Sequence, residues 1–257
     1  MFSEADAFLD AIWAAPDDTP RLAYADWMEE HGHADYARFI RLSCQIARGV
    51  FPPDERARLR RERYLLDRAI VSANPRAFAN NTAGLSRYDY GIPSRSHGTD
   101  AESFLQDWPH WWPFVRPRLL SLKGVNGREA DVARCDYLSQ VEVLRVTGQA
   151  DGSYFYEERD EVIWQPVAGI FLCELAANPA VGRLAALRVE PVEVTVADLE
   201  IFAASALAGR LLELHLWVQF ADGSREDLRA HGGLVQHGIA QFLAAHGDRL
   251  LRDRPTP

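Results

Sequence analysis

The sequence predicts an α+β fold in which an N-terminal helical bundle precedes a short α/β module with a mainly parallel sheet. Three observations predict it. Apolar residues recur at helical spacing through residues 1–72. Residues 73–117 lack a regular period and are rich in turn-forming residues and tryptophan. Within residues 118–257, short leucine-rich segments alternate with helical patterns, as in parallel strands joined by helices. We therefore predict three parts with these boundaries.

The composition is that of an ordinary globular protein. The chain has 257 residues, of which 47% are hydrophobic and 25% charged, so a largely disordered or fibrous chain is excluded. A formal net charge of −9 disfavours general binding to nucleic acids or anionic membranes. The first residues lack the basic and apolar regions of a signal peptide, and no uncharged stretch resembles a membrane span. Because the three cysteines form no CxxC pair, we expect reduced thiols and a cytoplasmic protein.

Four amphipathic helices are expected in the first part. The sequence predicts these helices over residues 5–13, 20–31, 36–47 and 54–72, the first three from their apolar stripes. At the start of the second helix, Asp18 or Thr19 can accept hydrogen bonds from free amides of the first turn, and Pro20 suits the first helical position. Gly32 ends that helix. Short amphipathic helices joined by tight turns predict a small bundle.

The second and third helices carry a family resemblance. Residues Asp17–Gly32 have the sequence DDTPRLAYADWMEEHG, and Ala37–Leu42 have ARFIRL. With their Tyr24–Trp27 core, these residues resemble the bacterial repeat-companion domain, although the family more often has a Gly-Asp turn where this chain has His31–His33. The family is named for its position beside repeats, often leucine-rich ones. The resemblance therefore implies an architecture and does not imply a chemistry.

Asp26 has two interpretations. It could be catalytic, because it stands among aromatic residues, or it could pair with Arg41 inside the bundle, since a buried charge needs a partner. We favour the pairing, so that Tyr24, Asp26, Trp27 and Arg41 form a structural motif. His31 and the nearby His33 could ligate a metal, but no third ligand stands at a recognised spacing, and a solvated turn is favoured.

Two further clusters each allow a structural and a binding interpretation. Arg56, Arg60 and Arg63 share one face of the fourth helix, which could bind phosphate or an acidic partner. A solvated face whose arginine stems cover apolar surface is favoured.

Residues Trp108–Phe114 are dense in aromatic side chains and contain two prolines, so a regular helix is not predicted there. This cluster could stack a ligand or a base, but a hydrophobic plug between domains is favoured.

The last part contains an irregular internal repeat. Segments 141–146, 184–189 and 211–216 match the LxxLxL pattern, and segment 119–125 is a partial fourth copy. The central leucines of the four copies, Leu122, Leu144, Leu187 and Leu214, are 22, 43 and 27 residues apart. The long interval predicts an insertion over residues 148–164, which is expected to form a hairpin. Helical patterns occupy 168–176, 196–203 and 234–245. These units resemble leucine-rich repeats of ribonuclease-inhibitor type, and the alternative is an unrelated α/β domain with leucine-rich strands.

The repeat predicts a basic column on the open face of the sheet. The residue between the last two apolar positions of each copy points outward, because side chains alternate along a strand. These outward residues are Lys123, Arg145, Arg188 and His215. Flanking Glu190 and Glu213 are expected to neutralise part of the column, and Trp217 is expected on the same face. Such a column predicts contact with an acidic partner, with Trp217 as an anchor.

No sequence motif indicates catalysis. The chain lacks GxSxG, P-loop, GxGxxG and HExxH patterns, and we predict no catalytic residue, cofactor or metal. The sequence predicts a non-catalytic interaction or scaffold module whose sheet binds an acidic surface of another protein. One alternative is nucleic-acid binding through the arginine-rich helix, the basic column and the Trp cluster. The other is an enzyme with an unrecognised site near Asp26 or His31. The sequence does not indicate an oligomeric state.

Overall fold

The helical stripes and leucine-rich segments form two compact units. The computed structural model describes residues 4–14, 17–74, 95–111, 118–149 and 165–250. The first unit comprises residues 1–94 and 109–116, and the second comprises 95–108 and 117–257. The N-terminal helices precede a mostly parallel, seven-stranded sheet along the chain, so the predicted α+β class is confirmed.

The described part of the first unit contains the four predicted helices. They are α1 (Glu4–Ala14), α2 (Thr19–Glu30), α3 (Ala34–Arg48) and α4 (Pro53–Ala73). Consecutive helices contact each other. The apolar stripes form the core, in which Tyr24, Met28, Tyr36 and Phe39 are almost completely buried. Gly32 has φ +86°, a left-handed conformation that ends the turn after α2.

The start of α2 differs from the predicted cap. Neither Asp18 nor Thr19 accepts a hydrogen bond from a first-turn amide through its side chain; instead Asp17 Oδ1 accepts from the Thr19 amide at 2.8 Å. That bond lowers the pKa of Asp17. The Asp18 carboxylate is buried and forms an ion pair with Arg48, the last residue of α3. Asp18 therefore connects the start of α2 to the end of α3, because burial requires its charge to have a partner.

The sheet of the second unit is assembled in chain order. Its strands are β1 (Arg95–Asp100), β2 (Leu119–Lys123), β3 (Val143–Thr147), β4 (Val167–Ala168), β5 (Ala186–Glu193), β6 (Glu213–Gln219) and β7 (Arg225–His231). The order is β1-β2-β3-β5-β6-β7, and β4 pairs with β5 beyond the end of β3. All described pairs are parallel except β6–β7, which is antiparallel. Since the order never reverses, right-handed crossovers place the connecting helices on one face of the sheet.

The connecting helices form a layer on that face. They are α5 (Ala101–Trp111), α6 (Glu129–Ala133), α7 (Ile170–Ala177), α8 (Val196–Ala203) and α9 (Ala206–Arg210), followed by α10 (Val235–His246) after β7. Within this layer α6 contacts α7, α7 contacts α8, and α8 contacts α10. The predicted helical patterns at 168–176, 196–203 and 234–245 are confirmed within a few residues.

The leucines of the repeat face the helices, but one copy has a different register. Leu144, Leu187 and Leu214 are in register on adjacent strands and are buried, as predicted. The residue of β2 in register with Leu144 is Leu120, whereas Leu122 pairs with Val146. The partial copy LLSLK has leucines at both positions, so its alignment was ambiguous by two residues.

The stretch 73–117 is not an irregular connector throughout. It contains strand β1. Most of the segment between β1 and β2 forms helix α5, which includes Trp108 and ends at Trp111. The prediction that residues from Trp108 onward avoid regular helix is wrong for Trp108–Trp111, which belong to α5 although Pro109 has no N–H to donate to the preceding turn. Trp108 is 5% exposed and packs against Phe104 and Tyr137, with ring centroids 5.1 and 5.4 Å away.

Two other strands were not predicted. The sequence of β7, REDLRAH, has only two apolar side chains, Leu228 and Ala230, and it gives no strand signal of its own. The two-residue strand β4 is too short for any periodic signal. The hairpin expected in the insertion falls mostly on residues 150–164, which lie outside the described residues. None of the helices in the described ranges has the length and apolar character needed to cross a membrane.

Candidate interaction face of the sheet

The face of the sheet opposite the helices carries a row of polar side chains in register. Because side chains alternate along a strand, residues flanked by buried leucines and valines point to this open face. The central row consists of Ser121, Arg145, Arg188, His215 and Arg229 on β2, β3, β5, β6 and β7. The predicted adjacency of Arg145, Arg188 and His215 is thus confirmed.

Lys123 is not in the central row, and the predicted column is corrected at this position. Ser121 is the β2 residue in register with Arg145. Lys123 lies two residues further along the same face, a displacement of about 6.6 Å, and is in register with Asp100 of β1. The cause is the two-residue ambiguity of the β2 leucines. Arg229 completes the row instead, from a strand that sequence analysis did not detect.

The half of the open face on β5, β6 and β7 is electrically compensated. Arg188 Nε donates to Glu190 Oε1 at 2.5 Å, and Arg229 Nη2 donates to Asp227 Oδ2 at 2.7 Å. Between these pairs, His215 Nδ1 lies 3.2 Å from Glu190 Oε1 and its Nε2 lies 3.1 Å from Asp227 Oδ1. We call these five residues the β5–β7 network. It joins β5, β6 and β7, because each of its two carboxylates lies between an arginine and His215.

His215 is the centre of this network. Its side chain is 8% exposed, and it is the most buried of the ionisable residues in the central row. Both ring nitrogens face carboxylate oxygens, Nδ1 that of Glu190 and Nε2 that of Asp227. The hydrogen bond with His215, followed by the charge of Arg229, lowers the pKa of Asp227 against the opposing effect of burial. The predicted neutralisation by Glu190 is confirmed.

Glu213 does not neutralise the basic column, contrary to the prediction. It lies in register with Ala186 and His231 and forms no ion pair with any residue in the described ranges. Its position at the start of β6 is two residues away from His215 along the strand. The carboxylate that completes the compensation is Asp227 on β7.

Trp217 lies on the open face, as predicted, but its ring has a neighbour. The side chain is half-buried, and the guanidinium carbon of Arg225 lies over the ring at 4.8 Å. Arg225 also donates to Gln219 Oε1 at 3.0 Å, and Gln219 donates to Glu193 Oε1 at 3.2 Å. A partner that used Trp217 as an anchor would have to share the ring with Arg225 or displace it.

The half of the open face on β2 and β3 is not compensated. Arg145 is exposed and forms no ion pair with a described residue. Lys123 is also exposed, and its neighbour Asp100 directs Oδ1 to the amides of Glu102 and Ser103, at 3.0 and 3.2 Å, at the start of α5. Next to the central row, Leu119, Val143 and Ala186 form a half-buried apolar row in register. This half therefore combines apolar surface with Arg145, which has no described ion pair, and with Lys123, whose in-register neighbour is the carboxylate of Asp100.

Asp26 in the first unit is paired as predicted, but at the surface. Arg41 Nη2 donates to Asp26 Oδ1 and to Glu29 Oε2, both at 2.6 Å, and these bonds raise the pKa of Arg41. The predicted Asp26–Arg41 pair is confirmed. The Asp26 side chain is 67% exposed, so the expectation of a buried charge is wrong. The reason is that Asp26 lies on the polar side of α2.

The other residues of this motif pack as predicted. Tyr24 is buried and stacks on Trp27 at 5.9 Å, and Trp27 stacks on His31 at 4.0 Å. His31 Nδ1 is 2.8 Å from the Trp27 carbonyl oxygen, which agrees with a structural turn. In the part of the chain that the structure describes, no three His, Cys, Asp or Glu side chains are grouped so as to hold a metal ion.

The arginine face of α4 is only partly exposed. Arg60 is exposed, whereas Arg56 and Arg63 are half-buried. Leu59, Asp67 and Ile70 are the buried residues of this helix. No described contact of these three arginines indicates a ligand, and the predicted choice between a solvated face and a binding face stays open.

Comparison with family models, with curated proteins and with solved structures finds no match. The resemblances to the repeat-companion domain and to leucine-rich repeats therefore stay predictions. The candidate site depends on its geometry alone.

Proposed function

We propose that this chain is a non-catalytic interaction module that binds an acidic segment of another protein through the open face of its sheet. The observation that carries the proposal is the central row, in which Arg145 is exposed and has no described carboxylate partner. Lys123 adds a second cation on the same face. We place the binding centre at Arg145, and we assign Arg188 and His215 to the β5–β7 network that holds the strands together.

Two physical arguments support a binding role for this face. Parallel sheets occur almost only with both faces covered, whereas the connecting helices among the described residues lie on one face. A cationic patch on a protein with net charge −9 attracts acidic partners and fits the charge complementarity of specific interfaces. Arginine is also one of the residue types that contribute most to binding energy when an interface buries them.

Neither alternative function is favoured by a described contact. Asp26 is exposed and engaged by Arg41, an arrangement that does not resemble an activated catalytic carboxylate. The Trp cluster was expected to contribute stacking in a nucleic-acid site, but Trp108 is 5% exposed and its ring is packed against Phe104 and Tyr137. We therefore retain the interaction module.

The test is affinity capture from the source cell with tagged full-length protein, followed by mass spectrometry and by binding of the purified candidate. The variants are Arg145→Glu and Arg145→Glu/Arg188→Glu, and the matched control is Arg61→Glu, an exposed arginine of α4 with the same charge change. We expect a protein retained by wild type and control and lost from both variants. Equal capture by wild type and Arg145→Glu would reject the open face as the site.

A further inference from the structure

The open face has two halves with different chemistry, and only one of them is available to a charged ligand. On β5, β6 and β7, each carboxylate of the network has an arginine and His215 as partners. A ligand carboxylate there would compete with bonds of 2.5–3.2 Å that already exist. On β2 and β3, the outward residues are Leu119, Ser121, Lys123, Val143, Arg145 and Thr147. None of them is acidic.

We infer that the partner segment is an amphipathic acidic helix that lies on the β2–β3 half, with apolar side chains on the apolar row and carboxylates over Arg145 and Lys123. This inference rests on the proposed function and narrows it. It names the secondary structure of the segment, the order of its apolar and acidic residues, and the half of the face that binds it.

The spacing of the outward residues matches a helix aligned with the strands. Along β2, Leu119, Ser121 and Lys123 are separated by steps of about 6.6 Å. Helical residues i, i+4 and i+8 lie on one side and are separated by about 6 Å per step along the axis. An apolar residue over Leu119 or Val143 is therefore followed, four residues later, by a position above the central row. Eight residues later the helix reaches the level of Lys123.

A helical partner is favoured over an extended one because a helix satisfies its own backbone hydrogen-bonding groups. A strand laid across the face would bury amide and carbonyl groups against side chains that cannot pair with all of them. A helix satisfies these groups internally and exposes only its terminal ones. On the opposite face of the same sheet α10 contacts β7, so a helix packed on a strand already occurs in this unit.

Contact with the apolar row would add hydrophobic burial to the charge attraction between the helix and the sheet. Leu119, Val143 and Ala186 lie side by side, on adjacent strands about 4.8 Å apart, and each is only half-buried. Covering them removes further apolar surface from water. Attraction between exposed charges is weak at physiological salt, so the apolar contact adds to the affinity while the cations orient the helix. A carboxylate at position 145 would repel the acidic side chains of the helix and oppose binding.

The experiment measures fluorescence anisotropy of three labelled peptides with the full-length protein at physiological salt. The first is a helical peptide with leucine at i and glutamate at i+4 and i+8 on one side. The second has the same composition with the two residue types scrambled around the helix, and the third is oligo-glutamate. We expect the first peptide to bind at least ~10-fold more tightly than the other two. Circular dichroism establishes that the first two peptides are equally helical.

Variants of the protein locate the contact. Val143→Thr keeps the side-chain shape and adds a hydroxyl, and we expect it to reduce the preference for the first peptide several-fold. Arg145→Glu is expected to abolish binding of the first peptide, whereas Arg61→Glu is expected to have no effect. Leu119→Ser serves as a second apolar-row variant if Val143→Thr alters the melting curve.

The outcomes separate the inference from the proposed function. If the scrambled peptide or oligo-glutamate binds as tightly as the first peptide and Arg145→Glu still abolishes binding, the helix is wrong and the acidic site remains. If the first peptide does not bind, or if it binds with unchanged affinity to the apolar-row variants, the inference is also wrong. If Arg145→Glu changes the binding of no acidic peptide and no captured protein, the proposed function fails with it.

Discussion

Arg145 and Arg188 occupy equivalent positions on neighbouring strands, yet their electrostatic surroundings differ. Arg188 donates to Glu190, which also lies 3.2 Å from His215, whereas Arg145 forms no ion pair with a described residue. We therefore expect Arg188→Glu to lower the free energy of unfolding by about 1 kcal/mol, because it places a carboxylate against Glu190. Arg145→Glu should change it by less than about 0.5 kcal/mol. Urea denaturation of the two variants measures both values; equal losses would contradict the division of the face into two halves.

His215 should contribute more to stability than any exposed histidine. Its removal takes away the ring nitrogens that lie 3.2 Å from Glu190 and 3.1 Å from Asp227, and the ring is almost fully buried. We expect His215→Ala to lower the free energy of unfolding by about 1–3 kcal/mol, as for other buried hydrogen-bonding groups. His237→Ala on the exposed side of α10 is the matched control and should be nearly neutral. A neutral His215→Ala would show that the network holds no strand in place.

The lowered pKa of Asp227 predicts how stability responds to acid. A carboxyl whose pKa is lower in the folded protein than its ordinary value of 3.8 stabilises the fold above that value. The contribution is lost as pH falls through the folded pKa. Wild type should therefore exceed Asp227→Asn in unfolding free energy at pH 7, and the difference should shrink below about pH 4. Because the side chain is 44% exposed, solvent screening keeps the difference small. Denaturation at several pH values measures it, and a constant difference would contradict the assignment.

At the scale of single elements, α8 has a cap that joins it to the end of β5. Thr195 Oγ1 accepts from the Asp198 amide and Asp198 Oδ2 accepts from the Thr195 amide, both at 3.0 Å. We expect Thr195→Ala to lower the free energy of unfolding by about 1 kcal/mol. Thr195→Ser, which retains the hydroxyl, should recover most of the loss. If both substitutions cost the same in chemical denaturation, the methyl group rather than the cap is responsible.

The same scale shows which elements the sequence could predict. The helices of the first unit follow from apolar stripes at helical spacing, and all four are present. The in-register leucines Leu144, Leu187 and Leu214 follow from the repeat. The register of β2 could not be settled, because Leu120 and Leu122 satisfy the pattern equally. Strand β7 has mostly charged residues, and its pairing with β6 depends on a chain reversal near Gly223 that periodicity does not report.

The strands that could be predicted from the sequence determine which contacts of the candidate site could be predicted. The positions of Arg145, Arg188, His215 and Trp217 on one face follow from strand alternation. Compensation by Glu190 was predicted, but the contact of His215 with Asp227 could not be, since Asp227 and Arg229 lie on the undetected strand. The contact of Arg225 with Trp217 was missed for the same reason. A cross-strand contact requires both strands and their register, and the sequence pattern supplied only one of the two strands.

At the scale of the whole molecule, the sheet unit has a core of its own. Its buried residues include Phe104, Leu120, Leu187 and Leu214, all within residues 95–108 and 117–257. We expect a fragment of residues 95–257 to fold alone and to unfold cooperatively, because the side chains that drive its folding are all present. Circular dichroism and a denaturation curve measure this. A fragment without a cooperative transition would show that the unit needs the N-terminal helices.

The one-directional order of the strands has a consequence for how such a chain can change length. A sheet that adds each parallel strand beside the previous one can gain another strand–helix pair by tandem duplication, without rearranging those already present. The 27 residues from Leu187 to Leu214 lead from one strand to the in-register position on the next and are the length of one such addition. Each duplication would widen the open face by one strand. The antiparallel β7 would end this growth, and charged residues like those it carries are typical of edge strands that avoid pairing with another molecule.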